Sequence, residues 1–255
     1  MRFIDTHSHL YDEAFASEED AAVERAVSAG VDRIILPDID SQSRDSMFSL
    51  ADRHPEALFP CLGLHPTSIG ADWEAEMEKM QDYCSRKIVA IGEIGIDCYW
   101  SKEFLEQQKE AFRTQLVTAH ERNLPVIIHS RDASAVIIDI LKECRNLDLR
   151  GVFHAFSGSI ETYREISRLG DWMVGIGGVL TFKKASIAET VKSIPLEKII
   201  LETDSPYLTP VPLRGKRNES SYIPHIAARL AELTGKDIAE IAVRTTENAE
   251  KLFGI

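Results

Sequence analysis

Two histidines separated by one serine, His7 and His9, follow at once on the apolar segment Phe3-Ile4-Asp5. In an extended chain alternate side chains share a face, so both imidazoles can aim at one cation while Ser8 points away. Apolar runs ending in groups that bind metal or move protons recur along the chain: His65, Glu93, His129, His154 and Asp204 each stand at or just past one. A close pair of divalent ions needs three or four ligands each, and a carboxylate whose two oxygens can hold one cation apiece. His7, His9 and Asp204 can serve one ion, His129 and His154 the other, with Glu93 bridging and water in the remaining positions. The chemistry expected is hydrolysis. A water shared by two cations loses a proton near neutral pH, and Asp204 can both ligate and accept a proton, which makes Glu93 and Asp204 the expected catalytic carboxylates. Imidazole with carboxylate accepts several ions, so Mg2+, Mn2+ and Zn2+ all stay open. Plainer roles exist too, Glu93 as a buried salt-bridge acid and Asp204 as a turn residue in Thr203-Asp204-Ser205-Pro206.

The elements that must position these groups are short. Apolar, β-rich runs occur at Phe3–Asp5, Arg33–Leu36, Leu58–Leu62, Ile88–Ile91, Val126–Ile128, Gly151–Phe153, Trp172–Ile176 and Lys198–Leu201. Between them lie stretches with helical spacing, such as Phe104, Gln108, Phe112, Leu116 and Ala119. The first helix is expected to start at a Ser17-Glu-Glu-Asp20 capping box and to stop at Gly30, and residues 223–253 read as two terminal helices. Regular alternation of strand and helix implies parallel strands with right-handed crossovers. At 255 residues this predicts an α/β fold, a single-domain (β/α)8 TIM barrel over residues 1–255 with additional C-terminal helices. In a barrel all strand ends meet on one rim, which gathers ligands that are far apart in sequence. A doubly wound open sheet is the alternative, but no G-x-G-x-x-G or G-x-x-x-x-G-K-[ST] follows the first strand. His54, His120 and His225 fall in expected helices or at their ends and read as ordinary polar residues.

Composition narrows the function classes. The chain has 29 basic and 41 acidic residues, a net charge of −12, which disfavours broad adhesion to nucleic acid or anionic membrane. A polyanion can still bind locally where metal ions dominate the field. Cys61, Cys84, Cys98 and Cys144 form no C-x-x-C pair, which argues against a zinc ribbon or disulfide framework. No secretory signal or transmembrane run is expected, so a cytoplasmic protein with no membrane role is the expectation. No heptad or apolar interface stands out, so monomer is the default and no obligate protein partner is expected.

The segments Thr6-His-Ser-His-Leu10, Gly63-Leu-His-Pro66, Ile91-Gly-Glu-Ile-Gly-Ile-Asp97, Pro125-Val-Ile-Ile-His-Ser-Arg131, His154-Ala-Phe-Ser-Gly158 and Leu201-Glu-Thr-Asp-Ser-Pro-Tyr-Leu208, taken in order, resemble the TatD family of metal-dependent hydrolases. The resemblance implies a TIM barrel of the amidohydrolase-like superfamily and a divalent-metal-dependent deoxyribonuclease, often with 3′ exonuclease behaviour, with DNA as substrate. It carries the metal-ligand role onto His7, His9, Glu93, His129, His154 and Asp204, the six reached from the residues alone, with His65 near the site. It extends to Arg214-Gly-Lys-Arg-Asn-Glu219, where Arg214, Lys216 and Arg217 offer a cationic cluster for phosphate. Arg131 is a second candidate phosphate contact or a structural ion-pair partner, and Tyr99, Trp100, Phe156 and Phe182 are candidates to stack on bases. Where the family's basic motif commonly continues to proline this chain has Ser220, and where many members have an aromatic it has Cys98. Two other functions use the same residues: hydrolysis of a small-molecule ester, lactone or amide, and a non-catalytic metal-containing binding protein.

Overall fold

Alternate residues of each apolar run face two different cores. The structure, a computed structural model covering Met1–Ile255, has eight parallel strands: β1 (Phe3–Asp5), β2 (Val31–Leu36), β3 (Leu58–Pro60), β4 (Ile91–Asp97), β5 (Val126–Arg131), β6 (Arg150–Phe153), β7 (Asp171–Ile176) and β8 (Ile199–Leu201). They pair in sequence order, β1 to β3 in one sheet and β4 to β8 in another. Both seams between the sheets are closed. Leu62 bridges Ile91 on one side and Ser8 bridges Ser205 on the other, supported by Gly92 N–H donating to Leu62 O at 3.0 Å and Thr6 N–H to Leu201 O at 3.0 Å.

Ile4, Ile35, Cys61, Ile127, Val152, Met173 and Ile200 point inward and form a small core of their own. Their neighbours Phe3, Ile34, Leu36, Val126 and Ile128 point outward and pack in the larger core beneath the helices. Those helices are α1 (Glu19–Ser28), α2 (Arg44–Arg53), α3 (Trp73–Lys79), α4 (Leu105–Glu121), α5 (Ser134–Glu143), α6 (Ile160–Ser167), α7 (Ile187–Thr190), α8 (Ile223–Thr234) and α9 (Ile238–Phe253). The last helix does more than append to the barrel: Ala249, Leu252 and Phe253 of α9 join the inner core and plug the end opposite the site. Asp237 caps α9 by accepting from Ala239 N–H at 2.7 Å, and Gly254 ends it in the left-handed conformation.

Two local expectations fail. Ser17 adopts φ +67°, and α1 begins at Glu19 with no side-chain cap bond, so the Ser17 capping box does not form. Local pattern suggests it, but Ser17 lies in a left-handed turn and Glu18, not Ser17, occupies the cap position. The fourth strand covers Ile91–Asp97 rather than Ile88–Ile91. Its glycines and acids are poor strand formers in isolation. Pairing with β5, up to Asp97 opposite Arg131, imposes the extended conformation. Gly95 is needed there, because a Cβ would lie 2.1 Å from His129 O.

Candidate metal centre

Glu93 is the third residue of β4 and sits almost wholly buried between two groups of imidazoles. Its Oε2 lies 3.1 Å from His7 Nε2 and 3.8 Å from His9 Nε2. Its Oε1 lies 2.7 Å from His129 Nδ1, 3.4 Å from His65 Nε2 and 3.7 Å from His154 Nε2. Asp204, in the left-handed conformation beyond β8, brings Oδ1 to 3.8 Å from His7 Nε2, 3.7 Å from His9 Nε2 and 3.9 Å from His154 Nε2. Its backbone N–H donates to His7 O at 2.8 Å, so the barrel seam itself sets its place.

Neighbours behind most of the rings explain which nitrogen faces the centre, whereas the buried Nδ1 of His7 has no partner. Tyr11 hydroxyl donates to Pro37 O and accepts from His9 Nδ1–H at 2.9 Å, leaving the His9 Nε2 lone pair directed inward. Asp97 Oδ2 faces His129 Nε2 at 3.0 Å, which turns Nδ1 toward Glu93, where it donates a proton in this structure and would offer a lone pair to a cation. Glu202 Oε1 faces His154 Nδ1 at 3.2 Å and accepts from Ala155 N–H at 2.5 Å. Carboxylate or hydroxyl acceptors of this kind fix the tautomer of a ligating histidine and raise its basicity. His65 is oriented the other way: its Nδ1 accepts from Thr67 N–H at 3.1 Å, so Nε2 carries the proton and is a donor at the centre's edge. His7 and His9 confront each other through Nε2 atoms 3.2 Å apart.

This donor set fits divalent cations. Ligand atoms of His7, His9 and Asp204 gather within 4.8 Å of one another, as do those of His7, His154 and Glu202, and those of His65, Glu93 and His129. Burial holds His7 well below the ordinary imidazole value and His9 down at about 4, so both are neutral ligands at neutral pH. Burial also opposes charge on His129 and His154. The carboxylates around them outweigh it, Asp97 and Glu93 for the first and Glu202, Glu93 and Asp204 for the second, and push them up to about 9 and about 10. Protons on these two rings stand where cations would otherwise balance the acids.

Asp97, Glu202 and Tyr11, which lie behind His129, His154 and His9, are positions to which sequence reasoning gave no role. Period-2 alternation carries a signal for one of them, since Glu93, Gly95 and Asp97 share a face of β4. Among the expected substrate contacts, Arg131 is exposed, in no ion pair, and stacked over the Tyr99 ring. Arg214 lies over Phe182 and Lys216 is exposed. Arg217 is engaged within the protein instead, donating to Glu18 at 2.7 Å and to Ala14 O at 2.5 Å and stacking on Phe15. Ser220 is fully buried, 3.3 Å from Ser8 Oγ in a hydroxyl chain that includes Ser205.

A sequence model of the family described as TatD related DNase matches residues 4–254. The chain belongs to the TatD family. Among TatD relatives, a Bacillus subtilis (strain 168) protein described as an uncharacterized metal-dependent hydrolase, YabD, is 39% identical over 253 residues, 98% of each chain. The 3′-5′ ssDNA/RNA exonuclease TatD of Pectobacterium carotovorum is 33% identical over 252 residues, 96% of each. The crystal structure of YjjV, a TatD homologue from Escherichia coli K12, superposes with a TM-score of 0.90 at 31% identity, covering 100% of this chain and 98% of that one. This TatD chain is accordingly a metal-dependent hydrolase acting on ester bonds, with the barrel fold expected from its sequence. No helix in it is long and apolar enough to cross a membrane.

Proposed function

We propose that this TatD-family hydrolase is a deoxyribonuclease of the 3′ exonuclease type, a phosphodiesterase working with two divalent ions. The observation that carries the reading is the division of four histidines between the two oxygens of Glu93: His7 and His9 face one, His129 and His154 the other. In this reading His7, His9 and Asp204 hold one ion, His129 and His154 the second, and Glu93 both. When bound, such ions polarise a phosphoryl oxygen and lower the pKa of water. The chain's own groups do the rest. Asp204 is the carboxylate at the centre that can both ligate and accept a proton. His65 presents Nε2–H as a donor to a phosphate oxygen beside Glu93. Arg131, Arg214 and Lys216 are the free cations for the nucleic-acid backbone, and Arg217 supports the loop through Glu18. The chain's excess of acids then confines nucleic-acid binding to this rim.

The test is hydrolysis of a 3′-labelled single-stranded DNA oligonucleotide by metal-stripped protein with Mg2+, Mn2+ or Zn2+ restored. His129→Ala and Asp204→Ala proteins serve as controls, and chromogenic esters and amides run in parallel. Metal-dependent release of labelled mononucleotide that both substitutions abolish is expected. Cleavage of the esters or amides with intact DNA would replace this reading with a small-molecule hydrolase on the same site.

A further inference from the structure

Beyond β4 the chain leaves two large aromatic side chains in solvent, Tyr99 at 54% and Trp100 at 70% exposure. Their rings meet edge to face with centroids 5.1 Å apart, an arrangement that leaves a ring face open. The Arg131 guanidinium, from the end of β5, lies 3.8 Å from the Tyr99 centroid and 5.2 Å from that of Trp100. The backbone N–H groups of Tyr99 and Trp100 both donate to Asp97 Oδ1, at 2.9 and 3.1 Å. The other oxygen of that buried carboxylate faces His129 Nε2. One side chain therefore registers the aromatic pair against the centre.

Both side chains are too exposed to serve the core, and they lie side by side at the end of one strand. Phe156, in contrast, is buried, and its ring is used in packing. An aromatic face backed by a guanidinium suits a flat, electron-rich ring attached to a phosphate: the ring stacks, and the cation faces the anion. We propose that Tyr99, Trp100 and Arg131 form a stacking platform for an unpaired base of a single-stranded polynucleotide whose neighbouring phosphodiester enters the centre. A base inside a duplex hides both faces against its neighbours and is not offered to such a platform. The inference rests on the phosphodiesterase reading above and adds the feature of the substrate that is recognised.

The test compares metal-loaded wild-type protein with the Tyr99→Ala/Trp100→Ala and Trp100→Phe variants. The substrates are a single-stranded oligonucleotide, the same strand with abasic terminal residues, and a blunt duplex. Wild-type protein should favour the base-bearing strand over the abasic one by about tenfold or more in kcat/KM, the range that stacking on one aromatic supplies. The double alanine variant should lose that preference through KM, and Trp100→Phe should keep it. Trp100 fluorescence should be quenched by the base-bearing strand and not by the abasic one. Equal preference in wild type and the double variant, or quenching by both strands alike, overturns the platform while leaving the nuclease intact. Absence of cleavage and binding for every oligonucleotide overturns both.

Discussion

Asp97 is the carboxylate that the structure makes answerable to the most measurements, and its removal has a calculable cost. Its side chain is almost fully buried and makes three contacts: Oδ2 with His129 Nε2 at 3.0 Å and Oδ1 with the N–H groups of Tyr99 and Trp100. Asp97→Ala leaves His129 with no acceptor on its outer nitrogen, so the ring can change tautomer or rotate and its Nδ1 is no longer aimed at Glu93. Loss of an acceptor behind a ligating histidine lowers metal affinity roughly 10- to 100-fold, equivalent to about 1.4–2.7 kcal/mol. The fold should survive, since losing one charge-assisted hydrogen bond costs about 1.5–3 kcal/mol against a typical 5–15 kcal/mol of stability. The amides of Tyr99 and Trp100 are only part-buried and can turn to water. The assay is competition between protein and a chelator for Zn2+ or Mn2+ in the wild type, Asp97→Ala, Asp97→Asn, His129→Ala and the Asp97→Ala/His129→Ala double variant. Asparagine retains an acceptor oxygen and should lose less than alanine. The double variant should bind no more weakly than His129→Ala, because Asp97 acts through that ring. Unchanged affinity in folded Asp97→Ala, or additive losses in the double variant, would refute the orienting role.

Metal uptake should be coupled to protons. His129 and His154, held at about 9 and about 10 in the metal-free protein, both carry a proton at pH 7, so binding there should expel about two protons. Calorimetry in buffers of different ionisation enthalpy measures this number, and a value near zero would contradict the assignment. The sign also fixes a stability trend. Both values are raised from the ordinary 6.5, so the stability these protonated rings confer is complete below pH 6.5 and is lost as pH rises through about 9 to 10. Melting temperature of the metal-free protein should therefore fall over that alkaline range. The cations of the loop beyond β8 should divide into two kinds. Arg214→Ala/Lys216→Ala should raise KM for DNA and flatten its salt dependence with little change in melting temperature. Arg217→Ala, which severs the ties to Glu18 and Ala14, should lower melting temperature, and the opposite pattern would reverse these roles. Phe253→Ala opens the barrel floor, where the ring is 5% exposed; about 3–5 kcal/mol should be lost, or roughly 10 °C or more in melting temperature. A shift of only a degree or two would show that α9 does not plug the inner core.

Several features were set by local chemistry and could be read before any coordinates. Runs such as Phe3-Ile4-Asp5 and Trp172–Ile176 are apolar and β-rich, and they form strands close to where that pattern puts them. The histidines and acids that follow them mark a candidate metal-binding rim, because a strand end fixes which way a side chain can point and parallel strands share one end. The two C-terminal helices were legible in residues 223–253, and the structure ends them at Gly235 and Gly254. Other features depend on neighbours that no local pattern contains. Ile88–Ile91 looked like the strand by composition, yet hydrogen bonding to β5 carried the strand on through Gly92, Glu93 and Gly95. Tyr11, Asp97 and Glu202 became meaningful only when folding set them behind His9, His129 and His154. Arg217 read as a candidate phosphate contact from its motif and its cationic neighbours, while Glu18, far away in sequence, lies beside it in the fold. The sequence by itself determined which groups can bind metal and the strands that bear them, since both follow from residue type and short-range periodicity. Tertiary structure decided the length of β4, the orientation of the His129 ring and which cations remain free, since each is set by a partner brought near only when the barrel closes.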